Sequence, residues 1–225
     1  MNYIITKRPR SIVYHVGFVV VFFLLFSFLF ACAPSTQPTS QQVVTIFATS
    51  SAQPWMDELF ACENELAITV NVTAEEPEIY LRIGEPENLL SPAYQIGEEE
   101  LLIVTHRESL VQNLSLPEAQ ALFAGEGGES VQVWVYPSAL DVAGVFEQVV
   151  MQGRGVASSA RVAVDPAQMS DVLNAESNAL GILPRRWKAG NVREVLSLGR
   201  FPVLAVTAGE TSNTGSLLLA CLQSN

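Results

Sequence analysis

Residues 100–125, which read ELLIVTHRESLVQNLSLPEAQALFAG, hold the strongest structural signal in the chain. Residues 101–104 form an unbroken apolar run, which indicates a strand buried on both faces and favours a parallel sheet. A polar turn follows. Ser115 then caps a helix, Pro117 fits its first turn, and Gly125 supplies the left-handed residue that ends it. This strand and helix predict an α/β protein.

The same stretch resembles a known crossover. HRESLVQNLSLPEAQALFAG, ending at Gly125, is similar to the NPxNPVxNLTLEQLRDIFSG segment of the phosphate-binding subunits of ABC importers. ALGILP, residues 179–184, is similar to the return crossover GAIGYV of that family, and residues 192–198 and 203–206 predict two further strands. The resemblance covers residues 43–206.

This resemblance implies an α/β, two-lobed type II periplasmic-binding-protein fold. Each lobe would be a small mixed sheet flanked by helices, and two crossover strands would join the lobes. Residues 43–97 and 183–225 would form lobe 1, and residues 98–182 would form lobe 2.

The composition excludes some classes of protein. The chain has 225 residues, of which 49% are hydrophobic and 16% charged, so it can bury a sizeable core. Lys7, Arg8 and Arg10 precede the first apolar run, and the rest of the chain has nine basic residues against 23 acidic ones, a net charge of −14. Such a charge repels nucleic acid, so no nucleic-acid partner is expected.

The N-terminus has the features of an export signal, because three basic residues precede an uncharged apolar run that ends in Leu-Phe-Ala before Cys32. This ending resembles a bacterial lipobox. It implies that residues 1–31 are a lipoprotein signal peptide and that Cys32 is lipidated. The protein would then be anchored in the cell membrane through its lipid, on the extracytoplasmic (periplasmic) face. An uncleaved anchor helix is the alternative, although the apolar run is a little shorter than the roughly 20 residues that span a bilayer. Residues 32–42, rich in Ser, Thr, Pro and Gln, predict a flexible tether.

The first predicted strand, residues 43–47, is followed by the small hydroxyl residues Thr49, Ser50 and Ser51. Amide and hydroxyl groups at the start of a helix attract an anion. The resemblance implies that this loop donates hydrogen bonds to an oxyanion ligand. Alternatively, the three residues only cap the helix that follows.

Two further segments depart from the family's ligand-binding pattern. The sequence IGEPE, ending at Glu87, is similar to the family's IGxSDxP, in which an Asp accepts a hydrogen bond from a protonated phosphate. In lobe 2 the resemblance places the family's Ser-Gly-Thr clamp on Leu140, Asp141 and Val142, with Ser138 beside it and no Arg nearby in sequence. A carboxylate in place of an Arg repels an oxyanion. We therefore expect weak phosphate binding, and a neutral, protonated or cationic ligand to fit better.

Two cysteines, Cys62 and Cys221, remain once Cys32 is acylated. An extracytoplasmic compartment permits disulfides, and the resemblance implies that both cysteines lie in lobe 1. A disulfide between them and two buried free thiols both remain open.

No pattern favours catalysis. His106 is the only histidine outside the leader, so a Ser-His-Asp enzyme would have to use it with Ser50, Ser51 or Ser138. There is no HExxH, CxxC or glycine-rich phosphate loop, so neither a cofactor nor a metal is expected. With the resemblance, this predicts a non-enzymatic substrate-binding lipoprotein of an ABC transporter of the phosphate-transport type. Its partners would be a small-molecule or oxyanion ligand and an ABC permease. A ligand-free interaction or sensor lipoprotein with the same fold is the alternative.

Overall fold

The computed structural model describes residues 42–127 and 130–224. The predicted signal peptide, the lipidation site Cys32 and nearly all of the predicted tether therefore lie outside the described residues. Within the described ranges, no helix is long and apolar enough to cross a membrane.

The described residues form strands, α-helices and three shorter helical turns. The strands are β1 Val43–Ala48, β2 Thr69–Val72, β3 Ile79–Ile83, β4 Ala93–His106, β5 Gln132–Val135, β6 Arg161–Val162, β7 Ala179–Pro184 and β8 Val192–Thr207. The α-helices are α1 Met56–Leu66, α2 Leu116–Phe123, α3 Asp141–Phe146, α4 Pro166–Ala175 and α5 Asn213–Ser224. Two 3-10 helices span Ser50–Trp55 and Arg185–Trp187, and α3 continues as a π-helical turn, Glu147–Met151.

These strands lie in one mixed sheet, in the order β2-β1-β3-β8-β4-β7-β5-β6. β1 is parallel to β2 and β3, and β5 is parallel to β6 and β7. β8 and β4 lie between the two parallel groups and are antiparallel to their neighbours. The predicted α/β class is confirmed, and the chain passes between the groups through β4 and back through β8. The two groups form one continuous hydrogen-bonded sheet, because β4 and β8 pair with each other.

Two predictions about strands were wrong. Residues 101–104 are fully buried, yet β4 is antiparallel to both of its neighbours. An unbroken apolar run reflects burial of both faces, which does not depend on strand direction. Residues 192–198 and 203–206, predicted as separate strands, belong to the single strand β8. This strand continues through Gly199, whose φ is +103°, at a register shift in its pairing with β4.

A disulfide ties the first α-helix to the last. It joins Cys62 of α1 to Cys221 of α5, residues that are 159 positions apart in sequence and whose Cα atoms are 6.0 Å apart. Of the two states that the sequence leaves open, the structure contains the disulfide. The two ends of the folded region are therefore linked covalently.

Three residues form a polar cluster, the Trp55 cluster, between the start of α1, β4 and the turn after β7. The indole N–H of Trp55 donates to the Glu99 carboxylate over 2.9 Å, and the backbone N–H of Arg186 donates to the other Glu99 oxygen over 3.2 Å. The Arg186 guanidinium lies 3.9 Å from the centre of the Trp55 ring and 3.5 Å from the Glu99 carboxylate. Glu99 is only 3% exposed. The cluster therefore joins three segments that are far apart in sequence.

Candidate functional site

A cavity of about 810 Å³ lies between the loop that follows β3 and the start of α3. The C-terminal ends of β3 and β5 meet there, and this edge of an α/β sheet is where ligands commonly bind. The polar residues of its lining are Arg82, Glu85, Glu87, Asn88, Ser138, Asp141, Glu147 and Gln148. Four carboxylates and one guanidinium make its walls negative at neutral pH.

Asp141 is the most highly connected side chain of this site. It begins α3, and its carboxylate accepts three hydrogen bonds. Oδ2 accepts from the Thr49 hydroxyl and from the backbone N–H of Ile83, both over 2.7 Å. Oδ1 accepts from the backbone N–H of Val142 over 2.9 Å. Asp141 is only 7% exposed, so these donors stabilise a carboxylate that has lost most of its hydration.

Thr49 is held in place by local structure at the end of β1. Its backbone N–H donates to the carbonyl of Leu81 over 3.0 Å, which fixes the loop against β3. Its hydroxyl oxygen accepts from the N–H of Ala52 over 3.2 Å, as the cap of the 3-10 helix. The single hydroxyl hydrogen is then free to point at Asp141. Thr49 therefore caps the 3-10 helix, which is one of the two roles that the sequence leaves open, and its hydroxyl hydrogen is donated to the protein's own Asp141.

Two tyrosines near the site stay protonated at neutral pH. Burial and, next, the negative charge of Asp141 raise the pKa of Tyr80, whose ring stacks on Phe47 with centroids 5.4 Å apart. Burial, followed by the charges of Asp165 and Asp141, raises the pKa of Tyr136 far more. The Tyr136 hydroxyl donates to the carbonyl of Ile182 over 2.6 Å and so joins the end of β5 to β7.

The structure brings together some of the predicted site residues and separates others. Thr49 is bonded to Asp141 and is itself buried, while Glu87 and Ser138 are exposed and line the cavity with Asp141. Ser50 and Ser51 do not line it. Ser51 is 1% exposed, and its backbone carbonyl accepts from the indole N–H of Trp187.

Sequence reasoning missed Arg82, which lines the same cavity. Its Nε donates to the carbonyl of Gly84 over 3.0 Å, and it has no carboxylate within salt-bridge distance in the described part of the chain. No Arg is near Asp141 in sequence, but Arg82 is near it in space, because β3 brings residues 82 and 141 to the same cavity. Alternation along β3 marks Arg82 as facing the opposite side from buried Leu81 and Ile83, and this was the available signal.

His106 is buried, and its ring contacts a backbone amide and an asparagine side chain. His106 is 7% exposed; its Nδ1 accepts from the N–H of Glu108, and its Nε2 lies 3.3 Å from the side-chain nitrogen of Asn191. Neither contact involves a serine. Among the described residues, no three His, Cys, Asp or Glu side chains are grouped so as to hold a metal ion.

Comparisons with known proteins identify the fold. No family model matches the sequence, and no curated protein sequence matches it. A structure described as a phosphate ABC transporter substrate-binding protein with bound phosphate, from Clostridium perfringens, superimposes with a TM-score of 0.72 and 14% identity, over 80% of this chain and 93% of that chain. An ABC-type phosphate transport receptor from Vibrio cholerae gives a TM-score of 0.60 and 14% identity, over 81% and 93%.

Regulatory domains of known structure are also similar to this chain. The regulatory domain of CcmR from Synechocystis PCC6803, in complex with 2-PG, gives a TM-score of 0.61 and 12% identity, over 82% of this chain and 97% of that chain. The chain therefore has the type II periplasmic-binding-protein fold, as predicted. At such identities the likeness shows the fold alone, which transport and regulatory proteins both use.

Proposed function

We propose that the protein is an extracytoplasmic lipoprotein that binds a small solute for an ABC transporter, without catalysing a reaction. The cavity between the loop after β3 and the start of α3 carries this proposal, since it lies at the edge of the sheet where an α/β fold binds ligands. The fold, shared with substrate-binding proteins, and the lipobox at Cys32 support it.

We infer that the ligand is neutral, protonated or cationic. The cavity lining contains one guanidinium and four carboxylates, those of Glu85, Glu87, Asp141 and Glu147. In addition, Asp141 already accepts hydrogen bonds from the Thr49 hydroxyl and the backbone N–H of Ile83. A fully ionised phosphate would meet several carboxylates, so its affinity should be weak at neutral pH.

Isothermal titration calorimetry of the folded region tests this proposal. The panel contains phosphate, sulfate, a neutral sugar and a cationic amino acid, measured at neutral pH. We expect no heat from the two anions and saturable binding of a neutral or cationic solute that Glu87→Gln weakens at least threefold. The control, Glu210→Gln, changes an exposed residue that does not line the cavity and should bind as the wild type does. Tight phosphate binding by the wild type would refute the inferred ligand class.

The membrane anchor has its own test. If Cys32 carries the lipid, Cys32→Ser should release the protein from membranes without unfolding the domain, because only the tether joins anchor and fold. Fractionation with detergent-phase partitioning measures this. A mutant that stays membrane-bound at its unprocessed mass would show that residues 1–31 are a spanning anchor.

One observation favours a second candidate, a ligand-free interaction or sensor lipoprotein. The Thr49 hydroxyl and the N–H of Ile83 are bonded to the chain's own Asp141, so these two donors have no hydrogen left for a solute. If no member of the solute panel gives heat with the folded protein, this second candidate replaces the first.

A further inference from the structure

We propose that Asp141 is the protein's own anionic ligand. Its carboxylate fills an anion site that is formed by Thr49 and Ile83, and this excludes external oxyanions from that site. The site would accept a free monocarboxylate of the size of formate or acetate once the side chain of Asp141 is removed. This inference holds whether or not the neighbouring cavity binds a solute.

The donors come from separate parts of the chain and meet at one oxygen atom. Thr49 and Ile83 are 92 and 58 residues from Asp141 in sequence, and they follow β1 and end β3, respectively. Both donor-to-oxygen distances are 2.7 Å, within the range of hydrogen bonds to an ionised acceptor. Two strands thus direct donors at one point, and the acceptor there belongs to another segment, α3.

Hydrogen-bond donors surround the carboxylate of Asp141. In the described ranges, none of the ion pairs formed within 4.0 Å involves Asp141, although it is 93% buried. A buried carboxylate without a basic partner depends on hydrogen-bond donors that favour its ionised form. Such donors recognise the carboxylate group itself, so a free carboxylate can accept the same hydrogen bonds.

Removal of the side chain would leave Thr49 and Ile83 with unpaired donors beside open space. Asp141 lines the cavity of about 810 Å³, so a solute can reach the vacated position. Formate and acetate carry the same acceptor group as the deleted side chain. Phosphate and sulfate are larger than the carboxylate that was removed, so they should bind less well than formate.

Thermal unfolding of Asp141→Gly in sodium formate, compared with sodium chloride at equal ionic strength, tests the proposal. The midpoint of thermal unfolding of Asp141→Gly should rise by about 5–10 °C when the formate concentration is a hundred times its dissociation constant. The wild type should not respond. The matched control is Asp165→Gly, because Asp165 also begins a helix and accepts an N–H bond, from Gln168 over 2.8 Å, without a donor from another segment. This control should not respond to formate.

A second substitution locates the binding. Thr49→Val, added to Asp141→Gly, removes the hydroxyl donor and should weaken formate binding at least tenfold. If formate raises the midpoints of the wild type and Asp141→Gly equally, or if the double variant responds as strongly as Asp141→Gly, the proposal is wrong.

If Asp141→Gly does not fold in either salt, native-state hydrogen exchange of Asp141→Asn decides the question. The uncharged amide is a weaker acceptor, so the amide proton of Ile83 should exchange at least tenfold faster than in the wild type, relative to amides of β7. An unchanged exchange rate would overturn the proposal. The outcome is independent of the calorimetry above, because a cavity that binds no solute still contains Thr49, Ile83 and Asp141.

Discussion

Truncation of Glu99 is expected to destabilise the protein more than truncation of any exposed acidic neighbour. Glu99→Ala removes the acceptor of the Trp55 indole N–H and of the Arg186 backbone N–H, and it removes the inner partner of the Arg186 guanidinium. Because Glu99 is 3% exposed, water cannot simply take its place. The effect should therefore appear in the stability of the whole domain.

The magnitude follows from the contacts that are lost. A buried donor left without an acceptor costs about 1–3 kcal/mol, and breaking a buried charged pair costs about 3–5 kcal/mol. The Arg186 side chain is 38% exposed and keeps Glu58 as a second partner, so it is partly hydrated in the variant. We therefore expect a loss of about 3 kcal/mol in the free energy of unfolding, near the lower end of the range for a buried pair.

Urea unfolding followed by circular dichroism measures this loss. With a slope of about 2 kcal/mol per M, the midpoint should fall by about 1.5 M. The matched control is the adjacent Glu98→Ala, since the Glu98 side chain is 51% exposed and lies 3.7 Å from Arg200. Its effect should be within about 0.5 kcal/mol. Equal losses in the two variants would show that the Trp55 cluster does not contribute as argued.

Three further predictions concern stability. The disulfide between α1 and α5 closes a loop of 159 positions. Its reduction should lower the free energy of unfolding by up to about 5 kcal/mol and the midpoint of thermal unfolding by about 10–20 °C. An unchanged midpoint in reductant would contradict this. Gly97→Ala places a Cβ against the Trp55 ring, too close for a normal contact, and should cost about 1–3 kcal/mol in urea unfolding, whereas Gly144→Ala meets nothing within 4 Å and should not destabilise. The pKa of Glu100 is lowered to about 2, first by the hydrogen bond from its arginine partner, Arg185. This carboxylate therefore stabilises the fold at pH values above its unfolded pKa of 4.5, and that contribution is lost as the pH falls towards 2. The urea midpoint of Glu100→Gln should therefore decrease less between pH 4.5 and pH 2 than that of the wild type. The same pH dependence in both proteins would contradict this prediction.

Elements that are defined by nearby residues could be predicted from the sequence. The N–H and hydroxyl of Ser115 both donate to Glu118 over 2.7 and 2.6 Å, which starts α2 as its sequence indicates, and Gly125 follows the helix with a φ of +88°. Asp165 likewise accepts from the N–H of Gln168 at the start of α4, three residues away. In these cases the cap and the helix that it begins lie within a few residues, so a short window of sequence contains the whole interaction.

Elements that depend on distant partners could not be predicted in the same way. The middle of β4 contains three consecutive glutamates, residues 98–100, which are unfavourable in a strand by composition. Glu99 is tolerated there because Trp55 and Arg186, 44 and 87 residues away, provide its donors. Nothing in a local window indicates that these residues will meet.

The site shows the same division. Sequence analysis selected Thr49 from its loop of small hydroxyl residues and Asp141 from the family resemblance, but it did not predict that they bond to each other across 92 residues. Sequence analysis interpreted the Asp141 carboxylate as a charge that repels anions, whereas in the structure it accepts hydrogen bonds from Thr49 and Ile83. Arg82 was overlooked because a single polar residue in a strand indicates only which face it lies on, not which loop from elsewhere in the chain will approach that face.

The pairing of β4 with β8 has a consequence for how the chain folds. Ala93 pairs with Val206 and His106 with Val192, so the centre of the sheet is built from residues about one hundred positions apart. Such a topology has a high contact order, and proteins of this kind fold slowly, in milliseconds to seconds. Until β8 is available, β3 and β4 each lack a neighbour and present open strand edges, which are prone to pair with other chains. The last quarter of the sequence therefore completes both parts of the sheet at once, and a fragment that ends before residue 192 should aggregate rather than form half of the fold.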